Sequence, residues 1–471
     1  MITECGSKIG YMSSDFTSVI THLWRATSRK DQPVEPSTLP LVTGPRVVLS
    51  SAFDVTGLAS GAVAVATGAA ADLLAARQRT SARAVRVDSR AACAAYQAES
   101  LFAPQGWTLP PLWDPIAGNY RTSDGWIRLH TNYAVHREAV ERVLGAHDRD
   151  SVQAVVASLS GVDVERAVVE AGGAAAVMHT RADWLASPAG TATATVPTFD
   201  ITDRPTTTLP RWATATPDVP FRGLRVLDLT RVLAGPTCTK FFAAYGGDVL
   251  RIDPPGFEEV AAALPETTQG KRTTFLDLNV AADRGVFETL VAGADVIVSG
   301  LRFDALSGLG YDPASLIALN PNLIVAYLDA YGWVGPWRRR RGFDSLVQMS
   351  CGIAATGSTG TPNPLPVQAL DYATGWLLAT AITRALSRQL TESLVATIST
   401  SLVATANLLY EITELEGVHD LVPDPAPDVS LEPTTTAWGP ALRTPFPGHI
   451  DGLTPNFAHD AGPLGCHPAT W

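Results

Sequence analysis

Short apolar runs alternate with helix-like segments through the second half of the chain. Five runs read as strands: "LRVLDL" (224–229), "DVLRID" (248–253), "TTFLDLN" (273–279), "DVIVSG" (295–300) and "NLIVAYLDAYG" (322–332). Helical patterns such as "PTCTKFFAAYG" and "AADRGVFETLVAGA" separate them. Strands that alternate with helices of this length form a parallel sheet with right-handed crossovers, and apolar strands fit burial on both faces. The pattern therefore predicts an α/β fold with a Rossmann-like parallel core over residues 222–345, in a large domain that runs from 222 to 410.

The first half of the chain has a different pattern. Residues 47–97 are Ala-rich and apolar nearly all round, which predicts a buried helix pair and assigns 47–112 to the large domain. "SDG" followed by the alternating "WIRLH" predicts a hairpin near 113–133, and the helical spacing after it predicts a small α/β domain over 113–200. The remaining boundaries are a loosely ordered N-terminal extension (1–46), a Thr/Pro-rich linker (201–221) and a Pro-rich, extended C-terminal segment (411–471).

Two stretches of the chain echo each other. "FDVTGLASGAVAVATGAAADLLAARQ" (53–78) and "LDYATGWLLATAITRALSRQ" (370–389) each have an Asp, a Thr-Gly step and an Ala-rich helix. A β-branched run and a second Ala-rich helix follow both of them. An internal repeat of this kind predicts that 47–97 and 370–410 pack as equivalent helical pairs related by a pseudo-twofold.

Composition narrows the function class. The 471 residues carry a formal charge of −11, which argues against a nucleic-acid role because phosphate binding needs a basic field. The five cysteines are widely spaced with no C-x-x-C pair, so we expect reduced thiols in the cytoplasm and neither a zinc site nor a disulfide framework. We expect no membrane span, because no run of about 20 uninterrupted apolar residues is present, and no signal peptide.

The unit from Leu224 to Pro255 reads as strand, turn, helix and strand, the outline of a nucleotide-handling motif. It contains neither G-x-G-x-x-G nor G-x-x-x-x-G-K-S/T. A ligand that binds here must therefore be held without either glycine-rich phosphate loop.

Six ordered blocks carry a family resemblance. They are "RVLDLTRVLAGPTCTKFFAAYGGDVLRIDPP", "GKRTTFLDLN", "ADVIVSGLRFDALSGLGYD", "NPNLIVAYLDAYGWVGPW", "RGFDSLVQMSCGIAATG" and "DYATGWLLA". In order and spacing, residues 224–409 resemble the first half of the family III CoA-transferases, the CaiB/BaiF family. Residues 113–187 resemble that family's small domain, which usually follows the Rossmann half. The chain thus resembles a rearranged fusion of a second-half copy, a linker and a first-half copy.

The resemblance implies coenzyme A as the ligand and acyl-CoA as the substrate, with no metal. In the family the turn equivalent to Val232–Pro236 lies against CoA, and basic side chains from other loops meet its phosphates. The implied CoA-binding residues are Val232, Leu233, Ala234, Lys271, Arg272 and Arg341. Pro254, Gly300 and Gly308 depart from the family's usual residues, and such losses imply weaker binding of CoA.

The implied chemistry needs an Asp nucleophile, because in the family a carboxylate attacks the thioester and forms an aspartyl-CoA intermediate. The family position falls on Ala404, with Ser401 at the family serine three residues earlier. In the N-terminal copy the position is Ala91 or Ala92, with Asp88 about one helical turn away. Phe343 stands where the racemase branch has a His. The catalytic residue is therefore unknown, and Ser401 and Thr405 are expected to be packing residues.

Other motifs have structural interpretations. "WRRRR" (337–341) is typical of a solvated loop rather than a nucleic-acid patch, and Arg341 alone receives a functional role. His130 and His179 are isolated and are expected to be structural rather than metal ligands.

Two functions follow from these observations. The chain acts on or binds acyl-CoA, transferring CoA between an acyl-CoA and a carboxylic acid, or it is an inactive family member that serves as an acyl-CoA-binding or partner subunit. It is expected to be a pseudo-dimer within one chain or a homodimer.

Overall fold

The structure is a computed structural model that describes residues 16–29, 39–302, 304–357, 360–416 and 429–471. Cys5 and parts of the predicted N-terminal extension and C-terminal segment lie outside the described residues. The first elements are α1 (Thr17–Ala26), β1 (Leu41–Thr43), α2 (Val55–Gln78), β2 (Val85–Asp88), α3 (Ser89–Ala95), α4 (Ala98–Leu101) and β3 (Ala103–Pro104).

The expectation of loose order before residue 47 is wrong for α1. Val19, Ile20, Leu23 and Trp24 share one face of this helix and are buried against the main core. Apolar residues at this spacing line one side of a helix, so the segment has a face to bury.

Helix α2 is apolar on every side because it is surrounded by protein. Among the described helices it is long and apolar enough to cross a membrane by length and composition, yet 94% of its most apolar window is buried in the fold. It packs against α16 (Ala369–Thr391). Its N-cap residue Asp54 accepts a 2.8 Å hydrogen bond from the Gly57 backbone N–H. Helix α2 is therefore a core helix of the fold, despite its length and hydropathy.

The predicted hairpin is confirmed. Strands β4 (Gly118–Arg121) and β5 (Trp126–Leu129) pair antiparallel, and β6 (Ala175–Val177) pairs antiparallel with β5. The helices of this region are α5 (Ala134–Leu144), α6 (Arg149–Val156), α7 (Gly161–Glu170), α8 (Arg181–Ala186) and α9 (Pro188–Thr193). Apolar side chains from β4–β6 and α5–α7 form a hydrophobic cluster of their own, here named the small lobe.

The large sheet follows. Its strands are β7 (Asp200–Pro205), β8 (Arg225–Leu229), β9 (Asp248–Asp253), β10 (Arg272–Phe275), β11 (Val296–Ser299), β12 (Ile324–Asp329) and β13 (Leu394–Ser401). The helices between them are α10 (Ala234–Ala244), α11 (Leu264–Thr267), α12 (Ala281–Gly293), α13 (Ala305–Gly308), α14 (Pro313–Leu319), α15 (Asp344–Ser350) and α16, and α17 (Leu402–Glu416) comes after β13. Arg211–Thr214 and Ala261–Ala263 are single 3-10 turns.

The predicted parallel α/β core is confirmed. In the described chain the sheet order is β10-β9-β8-β11-β12-β13-β7, with every neighbouring pair parallel except β13 and β7. The order reverses between β8 and β11, and open α/β sheets bind ligands outside the carboxyl ends of their strands at such a switch point. The topology thus predicts a ligand site at the loops after β8 and β11.

The linker predicted at 201–221 is only partly a linker. Asp200–Pro205 is the antiparallel edge strand β7, where a Pro at the strand end and alternating exposure are tolerated. Trp212 is buried, and its indole N–H donates to Gln389 Oε1 at 3.2 Å. Thr- and Pro-rich composition therefore concealed an edge strand and an anchor residue.

The C-terminal segment is also more ordered than its composition predicts. It forms β14 (Glu432–Thr436), β15 (Gly439–Arg443) and β16 (Gly448–Ile450). Strand β15 pairs with β3 and β16 pairs with β2, so the end of the chain adds strands to the N-terminal region. The Trp471 indole N–H reaches Leu290 O at 2.9 Å, which ties the last residue to α12.

The two repeat segments share an order of elements. Helix, strand and helix follow one another in α2-β2-α3 and in α16-β13-α17. Their environments differ, because β2 belongs to a three-stranded sheet with β1 and β16 whereas β13 belongs to the large sheet. Asp54 caps α2, whereas Asp371 lies in the first turn of α16, so the matching aspartates have different roles. The pseudo-twofold relation itself stays a prediction.

Candidate functional site

The turn from β8 to α10 is strained at one residue. Val232 has a φ of +65°, a left-handed conformation that is a genuine outlier for a β-branched side chain. Residues held in such conformations concentrate at ligand clamps, where the surrounding structure enforces them. Here Thr230 is anchored to Asp228 through its backbone N–H at 2.9 Å, and the Val232 N–H donates to Glu259 at 3.4 Å.

Helix α10 begins directly after this turn with no side-chain cap. Leu233 occupies the N-cap position and makes no capping hydrogen bond, so the first backbone N–H groups of an 11-residue helix depend on other partners. Helix starts of this kind favour anions. Val232 and Ala234 at this helix start line a cleft outside the carboxyl ends of the strands.

The cleft, here named the switch-point cavity, measures about 480 Å³. It lies outside the carboxyl ends of β8, β11, β12 and β13. Its walls come from the turn after β8 and from the loops after β11 and β12, with contributions from the start of α5, α16 and α17. They include Tyr133, His136, Arg231, Val232, Ala234, Phe257, Gly300, Arg302, Asp329, Arg338, Arg340, Arg341, Phe343, Asp371 and Leu402.

Close packing of two helices positions the uncapped start of α10. A Cβ on Gly375 of α16 would lie 2.4 Å from the Ala234 backbone oxygen, so glycine is needed there. A Cβ on Gly235 would lie 2.2 Å from Thr230. The Thr-Gly step noted in the sequence therefore allows α16 to approach the turn.

We expect Gly375→Ala to destabilise the fold by about 1–3 kcal/mol, because the added methyl group overpacks the contact with a backbone oxygen that cannot yield. Gly285→Ala in α12 is the matched control, since its Cβ would meet nothing within 4 Å and alanine favours a helix. Urea unfolding of both variants measures the effect. Equal midpoints for the two variants would contradict the packing argument.

Two arginines of the cavity lack acidic partners. Neither Arg302 nor Arg341 forms an ion pair with any carboxylate in the described part of the chain, and both line the cavity. Burial and the positive charge of Arg302 lower the pKa of Arg341. Arg340, by contrast, is held by Glu165 at 2.6 Å and by Ala175 O at 2.9 Å, which joins this loop to the small lobe. The cavity thus has uncompensated positive charge.

The small lobe contributes an imidazole to the cavity. His136 at the start of α5 lines the wall, and its buried Nδ1 has no hydrogen-bond partner. Burial, together with the charges of Arg341 and Arg302, lowers the pKa of His136 to about 4, so the ring is neutral near pH 7. Phe343 stacks on His130 at a centroid distance of 3.6 Å and lies 5.7 Å from His136. The expected structural role of His130 fits this stack.

Two carboxyl groups with raised pKa face the cavity. Burial raises the pKa of Asp329, at the end of β12, to about 7. Burial, and then the charges of Asp344 and Glu99, raise the pKa of Asp371 well above its ordinary value. Both backbone N–H groups at Leu370 and Asp371 donate to Asp344, which fixes the start of α16. The raised pKa of Asp371 favours its protonated form.

A buried charge network supports the strained turn from behind. Arg251 is fully buried and donates to Asp253 at 2.8 Å and to Glu259 at 2.8 Å. Glu259 also accepts from Tyr133 Oη at 2.7 Å, so the small lobe and the turn share one carboxylate. Arg231 stacks over Phe257 at 3.6 Å, beside this network.

Lys271 and Arg272 are not brought to the cavity. Lys271 is fully buried, and its Nζ donates to Asp228 Oδ2 at 2.9 Å and to Pro236 O at 3.1 Å. Arg272 is paired with Asp248 at 2.9 Å on the far side of the strand. Successive side chains of a strand point to opposite faces, so this pair cannot address one ligand together. Neither side chain lines the switch-point cavity, so the contact with CoA phosphates that the resemblance implies stays a prediction.

The family's nucleophile positions also lie outside the switch-point cavity. Ala404 lines a separate cleft of about 230 Å³ with Arg181, Asn407 and Tyr410. Ser401 Oγ accepts from the Ala404 N–H at 3.3 Å, and Thr405 Oγ1 lies 2.6 Å from Thr374 Oγ1, so both hydroxyls are in use.

In the N-terminal copy, Asp88 is used as a helix cap. Asp88 caps α3 by accepting from the Arg90 N–H at 2.8 Å and from the Ala91 N–H at 3.3 Å. Ala91 and Ala92 lie on that helix with no reactive group. Asp88 therefore has a structural role as a helix cap.

Among the six residues implied for CoA binding, the structure brings together three. Val232, Ala234 and Arg341 line the cavity, and Leu233 is buried behind the turn. Gly300 lines it as well, and Gly308 and Pro254 do not. Sequence reasoning missed Arg302, His136 and Asp329. Arg302 and Asp329 carried a usable signal, because each polar residue stands at or just after the end of an apolar strand.

The raised pKa of Asp329 predicts a pH effect on stability. The unfolded carboxyl ionises near pH 4 and the folded one near 7, so its stabilising contribution is complete below pH 4 and is lost as pH rises toward 7, at about 1.4 kcal/mol per pH unit. We expect Asp329→Asn to flatten the fall in unfolding free energy between pH 4 and 7, measured by urea titration. Glu138→Gln, on the exposed face of α5, is the control. An unchanged slope in Asp329→Asn would contradict the assignment.

Comparison with known proteins finds a family match within the second half of the chain. Residues 221–425 match the family model described as CoA-transferase family III. In the described chain, no group of three or more His, Cys, Asp or Glu side chains is placed to hold a metal ion.

Individual relatives match the same region. The chain is 30% identical over 228 residues to acetyl-coenzyme A transferase nodX of Hypoxylon pulicicidum, covering 45% of this chain and 38% of that protein. It is 33% identical over 188 residues to the probable fatty acyl-CoA transferase Rv3272 of Mycobacterium tuberculosis, covering 37% and 48%. It is 33% identical over 189 residues to a succinate–glutarate CoA-transferase of Agrobacterium fabrum, covering 36% and 47%. The chain spans less than half the length of each of these relatives.

Two solved structures are similar to part of this chain, with low TM-scores. A crystal structure of Rv3272 from Mycobacterium tuberculosis has 29% identity and a TM-score of 0.40, over 43% of this chain and 59% of that one. A CAIB/BAIF family protein from Brucella suis has 24% identity and a TM-score of 0.36, over 47% and 65%.

Proposed function

Because residues 221–425 belong to CoA-transferase family III, we propose that the switch-point cavity binds the CoA portion of an acyl-CoA. Homology supports an acyl-CoA transferase-like function in general terms. The finer assignment rests on the cavity. One observation carries it: Arg302 and Arg341 line the cavity without acidic partners, beside the uncapped start of α10.

The chemistry of CoA fits these groups. Its phosphates are anions, and guanidinium groups and helix N-termini both bind phosphate oxygens without needing a glycine-rich loop. The strained Val232 holds the helix start open to the cavity, and Glu259 fixes the Val232 amide from behind. In this arrangement the turn after β8 and two loop arginines bind the phosphates, as a glycine-rich loop does in other nucleotide-binding proteins.

We propose further that the family's covalent aspartyl route is absent from this chain. Ala404 has no nucleophile and lies on a different cleft. Asp371 does line the cavity, but its raised pKa favours the protonated form, and a protonated carboxyl is a poor nucleophile. Its proton can instead hydrogen-bond a thioester carbonyl oxygen. These features favour an acyl-CoA-binding member, or a partner subunit, over a transferase.

The second candidate keeps CoA transfer between an acyl-CoA and a carboxylic acid, with Asp371 as the nucleophile. In that reaction the Asp371 carboxylate attacks the thioester carbonyl and expels CoA thiolate, which gives a mixed anhydride. The thiolate then attacks the aspartyl carbonyl and releases the donor's carboxylate, which gives an aspartyl-CoA thioester. The acceptor carboxylate repeats these two steps in reverse, leaves with CoA and frees the Asp371 carboxylate. The observation that favours it is the position of Asp371 in the cavity wall. Trapping with hydroxylamine followed by mass spectrometry separates the two candidates, because only the second gives a modified Asp371.

Calorimetric titration with acetyl-CoA tests the binding proposal. We expect Arg302→Ala and Arg341→Ala each to weaken binding by about tenfold or more, since charge-assisted hydrogen bonds to an anion contribute about 1.5–3 kcal/mol. Arg339→Ala is the matched control, because Arg339 belongs to the same loop but pairs with Asp304 at 3.4 Å and does not line the cavity. Absence of binding to the unmodified protein, or equal affinity in all three variants, would contradict the proposal.

The fold suggests where and how the protein works. Cys93, Cys238 and Cys351 are free and buried and Cys466 is free and exposed, which is compatible with a reducing compartment, so we place the protein in the cytoplasm. The packing of α2 on α16 within one chain supports a pseudo-dimeric arrangement in place of two family subunits.

A further inference from the structure

A second cavity lies on the other side of α16. It measures about 190 Å³ and lies between α10, α16, the end of α3 and the C-terminal residues 432–457. It shares no lining residue with the switch-point cavity. Consecutive residues of α16 separate the two, since Asp371 faces the first cavity and Tyr372 faces the second.

Three side chains of this second cavity have unpaired polar atoms. Trp376 Nε1, Gln269 Oε1 and both Nε and Nη1 of Arg443 are buried and have no hydrogen-bond partner in the protein. Each of these residues is more than nine-tenths buried and lines the cavity. Leaving such groups unsatisfied costs about 1–3 kcal/mol apiece, so their convergence on one cavity points to an occupant.

The charges in the wall leave Arg443 as the group that needs a counter-ion. Lys240 and Glu266 form an ion pair with each other. Arg443 is fixed by one hydrogen bond, from Nη2 to Pro265 O at 2.9 Å, and forms no ion pair with a carboxylate of the described chain. Burial lowers the pKa of Arg443, and the charges of Glu266 and Asp460 act in the opposite direction. The exposed Glu432 also lies in the lining.

The rest of the wall limits the size and polarity of the occupant. Phe241, Phe446 and Phe457 surround the polar groups with aromatic surface. The free groups comprise donors on Arg443 and Trp376 and one acceptor on Gln269. An occupant must therefore be small, accept hydrogen bonds at an anionic end and donate one hydrogen bond from another group.

We propose that this second cavity binds a small hydroxy acid, whose carboxylate accepts from Arg443 and Trp376 and whose hydroxyl donates to Gln269. The proposal does not rest on CoA binding, since no residue is shared between the two cavities. A carboxylate matches both the free guanidinium N–H groups and the indole N–H.

Calorimetric titration of the full chain with sodium lactate tests this site. Propionate lacks the hydroxyl and lactamide lacks the charge, so we expect lactate to bind more tightly than propionate and lactamide not to bind. Arg443→Gln is expected to weaken lactate binding by about tenfold or more, and Trp376→Phe, which keeps the aromatic packing, by about threefold to tenfold. Arg222→Gln on an exposed ion pair and Arg302→Ala in the first cavity are controls expected to bind lactate like the unmodified protein.

Three results would overturn the proposal. The first is no binding of lactate at millimolar concentration, which would mean that only water binds these groups. The second is equal binding of lactate and lactamide. The third is loss of lactate binding in Arg302→Ala. Because Arg443→Gln also removes the hydrogen bond to Pro265, circular dichroism must show a folded variant, and Trp376→Phe provides the second reading if it does not.

Discussion

Ala404→Asp is expected to leave CoA transfer undetectable, about 10⁴–10⁶ below a family rate that uses a covalent nucleophile. The new carboxylate would enter the cleft that contains Arg181 and Asn407, not the switch-point cavity. Arg181 has an unpaired Nη1 and would form an ion pair with it, so the carboxylate would be held away from a thioester. We therefore attribute the expected lack of transfer to the placement of residue 404 as well as to its type.

Incubation with acetyl-CoA, trapping with hydroxylamine and peptide mass spectrometry measure this outcome. Asp371→Asn in the unmodified background is the control, because it removes the carboxyl that faces the cavity while retaining its shape. A label at residue 404 in the Ala404→Asp variant, with a gain in transfer, would show that the nucleophile alone had been lost.

Lys271→Met is expected to lower the free energy of unfolding by about 3–5 kcal/mol, since it leaves the buried carboxylate of Asp228 without its cation. Lys271 and Asp228 are both fully buried, and Thr230 and Thr239 already donate to the same carboxylate. Urea unfolding measures the loss.

Arg272→Met, at the next residue and the first of β10, is the matched control. Its ion pair with Asp248 is partly exposed, and such pairs contribute about 0–1 kcal/mol. A Lys271→Met variant with unchanged stability and lost CoA binding would return Lys271 to the role that the family resemblance implies.

The parallel sheet could be predicted because its strands contain short apolar runs and helix-like segments separate them. Val296–Ser299 and Ile324–Asp329 are examples, since both faces of these strands are buried. The edge strand Asp200–Pro205 could not be predicted in this way. It has half-exposed polar residues, and its pairing with β13 depends on a partner almost 200 residues later in the sequence.

The site was only partly predictable for a related reason. Val232 and Ala234 lie two positions apart in one turn, so a local motif could identify them. Arg302 and His136 come from a loop of the large domain and a helix of the small lobe, and only the folded chain brings them to one cavity. Lys271 shows a limit of the sequence, because a basic residue near a nucleotide-type unit can pair with a buried Asp or bind a phosphate; its role in CoA binding stays a prediction.

A crystal structure of the protein with bound CoA tests the central claim most directly. The account predicts CoA in the switch-point cavity, with its phosphates contacting Arg302, Arg341 or the backbone N–H groups at the start of α10, and with Ala404 outside the ligand's reach. CoA bound at another place on the chain, or its phosphates held by Lys271 or Arg272, would contradict the account.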